Sequence, residues 1–240
     1  LEYLLNIKEA AAFLNVSEMT VRRWTNDGFL KCYRVGGRHA RRFNKQDLLT
    51  YVNGNAAKND SDLEPLGIEN HRVPDGSHIT HLSVNSDDSL NAATAFIIQG
   101  FIGKESVLVV SPDAGIENII DALEHRNVHV DHYRNTGRLH FSQGMDTPLG
   151  QSKFISHVAS LSENRLRVYG DMTWTKVKGW GTKNLVDLEK NVGLKLIKNM
   201  LFLCQYQLDR FSGEEAMMAV ETHSHHLYKG NLKENPYQNQ

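Results

Sequence analysis

Cysteine is scarce in this chain: two in 240 residues, Cys32 and Cys204. They lie far apart and lack metal-ligand spacing, so nothing in them suggests a disulfide framework or a zinc site built on cysteine. No apolar run approaches the roughly 20 residues that a bilayer-spanning helix needs. The N-terminus enters a helical pattern directly, with no leader, so a soluble, cytoplasmic protein without a membrane partner is expected. Internal repeats are absent too. Net charge is nearly so, at −1, but this balance hides an asymmetry. The first 52 residues carry nine Lys/Arg against five Asp/Glu, whereas the rest carry 18 against 23. A basic head on an acidic body assigns nucleic-acid contact to the head. The length leaves room for two domains.

The head, residues 1–52, reads as a DNA-binding module. Ile7–Leu14 and Ser17–Asn26 are two short helical patterns joined by Asn15-Val16. The Ser17 hydroxyl is placed to accept from a free N–H at the start of the second helix, and Asp27-Gly28 ends that helix. Ala11, Leu14, Val16, Val21 and Trp24 supply one small core. This is helix-turn-helix geometry, in which the second helix enters the major groove. Met19, Thr20, Arg22 and Arg23 then become candidates for groove contact, and adjacent Arg22 and Arg23 diverge by about 100°. Downstream, Gly36-Gly37 separates two strand-like runs and suits a hairpin turn needing positive φ. Arg34, Arg38, His39, Arg41 and Arg42 make the hairpin a basic wing for phosphates. Asn44 caps a short closing helix.

Ile7-Lys8-Glu9-Ala10-Ala11, Val16-Ser17, Thr20-Val21-Arg22-Arg23-Trp24, Gly28 and Tyr33-Arg34-Val35-Gly36-Gly37-Arg38 together resemble the MerR/excisionase class of winged helix-turn-helix domains. Double-stranded DNA is the partner this implies. A head of this size makes few phosphate contacts, so a homodimer on paired half-sites is expected.

Residues 53–76 are polar and rich in turn formers, and read as a linker. From residue 77 to 240, strand and helix alternate. Strands are expected at His78–Val84, Ser106–Val110, Val128–Tyr133, Leu139–Phe141, Leu166–Gly170 and Leu201–Tyr206. Helices are expected at Asp87–Gly103, Ile116–Arg126, Gln151–Asn164, Lys183–Lys198 and Gly213–Thr222. The pattern predicts an α/β domain with a largely parallel central sheet. Ligands of such sheets sit at the carboxyl ends of the strands. There, Asp113 in the Ser111–Gly115 loop and Asp171 after Leu166–Gly170 stand out. That loop lacks the Gly-x-x-x-x-Gly-Lys-Ser/Thr pattern and has no lysine for a phosphate, so a RecA-like shape without evident ATPase chemistry follows.

His81-Leu82, Leu166-Arg167-Val168-Tyr169-Gly170-Asp171-Met172-Thr173-Trp174, Leu203-Cys204-Gln205-Tyr206, Arg210-Phe211, Thr222-His223 and Asn235-Pro236-Tyr237 resemble the MEDS sensory domain. This is the sensory module of methanogen and methylotroph regulators, of the dichloromethane-dehalogenase-repressor type. The resemblance implies a RecA-like fold that senses one-carbon or hydrocarbon-derived compounds. It marks His81, Asp171, Trp174, Cys204, Tyr206 and His223 as candidate ligand contacts, and the strand-end loop adds Asp113.

His223, His225 and His226 invite a metal reading, but no acidic ligand stands at reliable spacing, so the segment reads as a polar loop and no metal site is assigned. Cys204 in a buried strand behaves as a small hydrophobe. Trp174 and Trp180 suit either a pocket wall or the core. The expectation is a one-component transcriptional regulator with a small-molecule effector, no cofactor and no catalytic residues. The alternative is a DNA-targeted, RecA-like nucleotide-binding protein or ATPase.

Overall fold

A computed structural model describes residues 4–26, 30–37, 39–54, 63–195 and 199–235. It divides into two compact units, Leu1–Ser61 and Asp62–Gln240.

In the first unit α1 (Ile7–Phe13) starts at Asn6, whose side chain accepts from the Lys8 and Glu9 amides while Glu9 reaches back to the Asn6 amide. This reciprocal pair satisfies two orphan donors of the helix end. Asn15, at φ 52°, turns the chain into α2 (Glu18–Asn26), which Ser17 caps by accepting from the Thr20 amide at 3.1 Å. Residues 27–29, expected to end this helix, lie outside the described residues. β1 (Tyr33–Val35) pairs antiparallel with β2 (Ala40–Arg42) around Gly36, whose φ of 74° a side chain would resist. α3 (Lys45–Gly54) follows, with Asn44 accepting from the Gln46 amide. Ala10, Ala11, Val21, Leu30, Phe43 and Leu48 form the buried core, and Leu14, Val16 and Trp24 pack against it half-buried.

The second unit opens with a hairpin, β3 (Leu63–Pro65) and β4 (Arg72–Pro74). Its Leu66 and Val73 are fully buried in the α/β core, so structure begins inside the stretch expected as a linker. Arg167, with no exposed surface, ties this hairpin down by donating to the Pro65 and Leu66 carbonyls and to Glu105. A buried guanidinium needs that full set of acceptors to offset its desolvation.

The main sheet has seven strands: β5 (His78–Ser83), β6 (Ser106–Val110), β7 (Leu139–Ser142), β8 (Leu166–Asp171), β9 (Met200–Gln207), β10 (His225–Tyr228) and β11 (Asn231–Glu234). Their spatial order is β11-β10-β5-β9-β8-β6-β7, parallel throughout except for the edge pair β10–β11. α4 (Ser86–Ile102), α5 (Asp113–Glu124) and α6 (Val130–Asn135) cover one face, where Phe96, Ile97, Ile119, Leu123 and Val130 meet Val107, Val109, Tyr169 and Leu203. α7 (Pro148–Leu161), α8 (Thr173–Val177), α9 (Thr182–Lys195) and α10 (Gly213–Thr222) cover the other, where Ile155, Trp174, Leu185, Leu188 and Met218 meet Leu108, Val168, Phe202 and Cys204.

One expected strand is a helix. Val128–Tyr133, with its β-branched residues, instead leads into α6, where Val130 is buried and Tyr133 stacks on Phe101 at 3.7 Å. That packing overrides local strand preference.

Candidate functional site

The surface of α2 follows from its periodicity. Val21 and Trp24 face the core, so Met19, Arg22 and Arg23 fall within about 100° of one another on the opposite side. Met19 is 77% exposed, and both arginines are exposed. Arg22 lies 3.6 Å from Glu18 one turn earlier. In the wing, Arg34 and His39 are exposed, whereas Arg41 donates to the Asn26 side chain at 2.5 Å and so braces the wing against the end of α2. Arg42 is half-buried and folds back to the Arg41 carbonyl. Arg38 lies outside the described residues.

In the second unit, β5 and β6 leave the sheet toward the α4/α5 face, and β8 and β9 toward the other. Strands part at β5/β9 and β6/β8, the positions where open α/β sheets place ligands. A crevice of about 300 Å³ lies there, over the ends of β8 and β9. Ser86, Asp87 and Ser89 of α4, Gly115 and Asn118 of α5, and Tyr169, Asp171, Gln205 and Gln207 line it. Asp171 is held from both sides: Ser111 donates to Oδ2 at 3.0 Å, and the Thr173 hydroxyl and amide donate to Oδ1 at 2.8 and 3.1 Å. Gly115 permits this approach, because a Cβ there would sit 2.1 Å from Ser111 Oγ. His81 flanks the same row, with Nδ1 3.2 Å from Gln205 Oε1 and Nε2 3.5 Å from Asp88. Burial pushes its pKa down, and Asp88 and Gln205 oppose that. No lysine or arginine is among the described lining residues.

The opposite face holds a different group. His78 at the start of β5, Glu189 on α9, Cys204 on β9 and His223 at the end of α10 bring one ligand atom each to within 4.8 Å of one another. Local structure sets each in place. Ser224 bonds the His78 backbone amide and carbonyl, pinning the end of α10 to the start of β5. His223 Nδ1 lies 2.7 Å from the Ala219 carbonyl, and Asn235 donates to the Val220, Glu221 and His223 carbonyls. Glu189 follows Leu185 and Leu188 in the buried stripe of α9 and is 1% exposed. Tyr206 donates to its Oε1 at 2.6 Å. His78 Nε2 lies 3.2 Å from Cys204 Sγ and 3.3 Å from Glu189 Oε2, and the two imidazoles face each other at 3.9 Å. Desolvation drives both histidine pKa values down; it drives the Cys204 thiol and Tyr206 phenol up, with Glu189's charge adding to both. A small apolar cavity of about 30 Å³, walled by Val168, Met172, Trp174 and Phe202, touches Glu189 and Cys204.

The seven expected ligand contacts therefore split. Asp171 lines the crevice and His81 flanks it, while Cys204, Tyr206 and His223 belong to the buried group. Trp174 is a core residue, edge-on to Trp180 at 4.7 Å. Asp113 is exposed and paired with Gln143, and is among neither the residues lining the crevice nor the buried group. His225 and His226 do not join His223; its neighbours are His78 and Glu189, neither of which the sequence reading singled out.

A helix-turn-helix unit with a β-hairpin, followed by an α/β unit with a crevice at the carboxyl ends of its strands, is an architecture that suits a DNA-binding regulator. Residues 77–224 match the family model described as the methanogen/methylotroph, DcmR sensory domain, MEDS, and residues 4–56 match a helix-turn-helix domain. The sensory match spans more than half of the chain, which belongs to the MEDS family. It is similar to a protein named transcriptional repressor DcmR, from Methylorubrum extorquens (strain DSM 6343 / CIP 106787 / DM4). The two are 29% identical over 244 residues, covering 92% of this chain and 90% of that one. The protein is a transcriptional regulator with a helix-turn-helix DNA-binding domain and a sensory domain.

Proposed function

We propose that the chain is a homodimeric repressor whose operator affinity is set by a small uncharged effector in the crevice over β8 and β9. The absence of a described lysine or arginine from that crevice carries the effector reading. Two carboxylates, Asp87 and Asp171, and the amides of Asn118, Gln205 and Gln207 suit a ligand that donates and accepts hydrogen bonds without negative charge. One-carbon and hydrocarbon-derived alcohols meet that condition; nucleotides do not, so a nucleotide-hydrolysing reading gains no support. The sign of regulation follows the similarity to the DcmR repressor.

On DNA, Arg23 and Met19 take base edges and Arg22, tethered near Glu18, takes phosphate together with Arg34 and Arg38 of the wing. Effector coupling of about 1–3 kcal/mol would change operator affinity by roughly 5- to 150-fold. The test is selection of bound sequences from random duplexes by the full-length chain at stated salt, followed by titration of the recovered site with a panel of small alcohols, with cationic amines and non-donating halomethanes as controls. An inverted repeat whose affinity shifts with one compound, and no longer shifts in Gln205→Leu, supports the proposal. A repeat indifferent to every compound sinks the effector half, and recovery of no repeat sinks the dimer half.

A further inference from the structure

We propose that His78, Glu189, Cys204 and His223 form a binding site for a divalent transition metal of the zinc type. The site is separate from the crevice and does not rest on the effector reading.

The donor set is the first argument. Two imidazoles, a carboxylate and a thiol are the side chains that bind zinc with four ligands, and thiolate with imidazole disfavours magnesium and calcium. Spacing is the second. Metal–ligand bonds of about 2.0–2.3 Å in a tetrahedron put neighbouring donors about 3.3–3.8 Å apart. His78 Nε2 to Cys204 Sγ is 3.2 Å, His78 Nε2 to Glu189 Oε2 is 3.3 Å, and His223 Nε2 to Glu189 Oε2 is 3.6 Å.

Charge is the third argument. A thiolate and a carboxylate beside two neutral imidazoles cancel a dication, so the filled site is neutral in a core that penalises isolated charge. On binding, the Cys204 S–H bond breaks, a sulfur–metal bond forms and the proton leaves to solvent.

The surroundings are organised in the same sense. Ala219's carbonyl takes the Nδ1 side of His223, which turns Nε2 inward, and Nε2 has no hydrogen-bond partner among the described residues. Tyr206 holds the outer oxygen of Glu189 and leaves Oε2 facing both histidines. Such outer contacts fix ring orientation and ligand basicity at metal centres. The support is incomplete at His78, whose Nδ1 finds no described partner. Read as a hydrogen-bonded core, the group leaves two buried ring nitrogens unsatisfied; a cation would satisfy one of them. With four protein ligands the centre is closed, which makes the metal a clasp between β5, β9, α9 and α10.

The experiment uses the full chain, dialysed against a chelator, kept reduced and titrated with Co²⁺. Expected are about one Co²⁺ per chain, the visible absorption of tetrahedral Co²⁺, a near-ultraviolet thiolate charge-transfer band, and displacement of both by Zn²⁺. Cys204→Ser should abolish the charge-transfer band and weaken binding by at least about tenfold. His226→Ala, next to the group but outside it, should leave both unchanged. His223→Gln, which retains a polar side chain facing Glu189, should weaken Co²⁺ binding if the cysteine variant fails to fold. Folded wild-type chain that takes up no Co²⁺, a charge-transfer band that survives Cys204→Ser, or equal loss in His226→Ala would each overturn the site.

Discussion

Cys204 and Gln205 are neighbours on β9, yet they belong to different chemical worlds. Cys204, 9% exposed, points into the packed face with Phe202 and Tyr206. Gln205 turns to the other face, where it meets His81 and lines a crevice. The register repeats the division in the adjacent strand, with Thr80 opposite Cys204 and His81 opposite Gln205. A period of two along each strand is enough to give one sheet a dry donor cluster on one side and a row of hydrogen-bonding groups on the other. The lesson is that a motif such as Leu203-Cys204-Gln205-Tyr206 is not one site. It is two, read alternately.

Substitutions on the two sides should differ most at Glu189. Removing it by Glu189→Ala strands the Tyr206 hydroxyl and both histidines in the core and should cost about 3–5 kcal/mol, seen as a lower urea midpoint of the α/β unit. On the crevice side, Gly115→Ala forces a Cβ against Ser111 and displaces it from Asp171; overpacking of this kind costs about 1–3 kcal/mol by the same measurement. A Gly115→Ala penalty matching that of Glu189→Ala would erase the contrast between the faces.

His81 gives a finer test. Its folded pKa is held below the ordinary value of about 6.5. Below that pH the unfolded chain takes up a proton that the folded chain refuses. The contribution of His81 is therefore complete above about pH 6.5 and declines on acidification toward the depressed value, with a slope of at most about 1.4 kcal/mol per pH unit. His81→Asn should flatten the stability profile on the acid side of about pH 6.5; an unchanged profile would mean that His81 is not the buried neutral group described. Smallest of all should be Gln207→Leu, whose stability change should stay within about 1 kcal/mol because this crevice residue is only half-buried.

The head was legible because its signals are local: Ser17 does cap α2, Gly36 does turn the hairpin, and the expected core residues do pack together. In the second unit the alternation of strand and helix gave the largely parallel sheet, and Gly213–Thr222 appears with the expected bounds. What escaped depends on distant partners. The β3–β4 hairpin looked like linker because its turn residues are plain in sequence, whereas the buried Arg167 that anchors it lies about a hundred residues away. The strand β10 reads as part of a polar loop because His225 and His226 mask a short edge strand. Cys204, Tyr206 and His223 were named singly, without the neighbours that join them. His78 carried no signal beyond lying in a strand. Glu189 did carry one: an acid one position after Leu188 and four after Leu185 sits on the stripe a helix buries.

The order of the strands also has a temporal meaning. β5 is synthesised first in its sheet and ends up inside it, flanked by β9 and β10, which are made late. While a ribosome adds the intervening hundred-odd residues, both edges of an apolar strand await partners, which is the circumstance that slows folding and invites misassembly. The meeting of His78 with Cys204 and His223 thus happens only when the sheet is finished, and a nascent chain released before residue 223 can never bring them together.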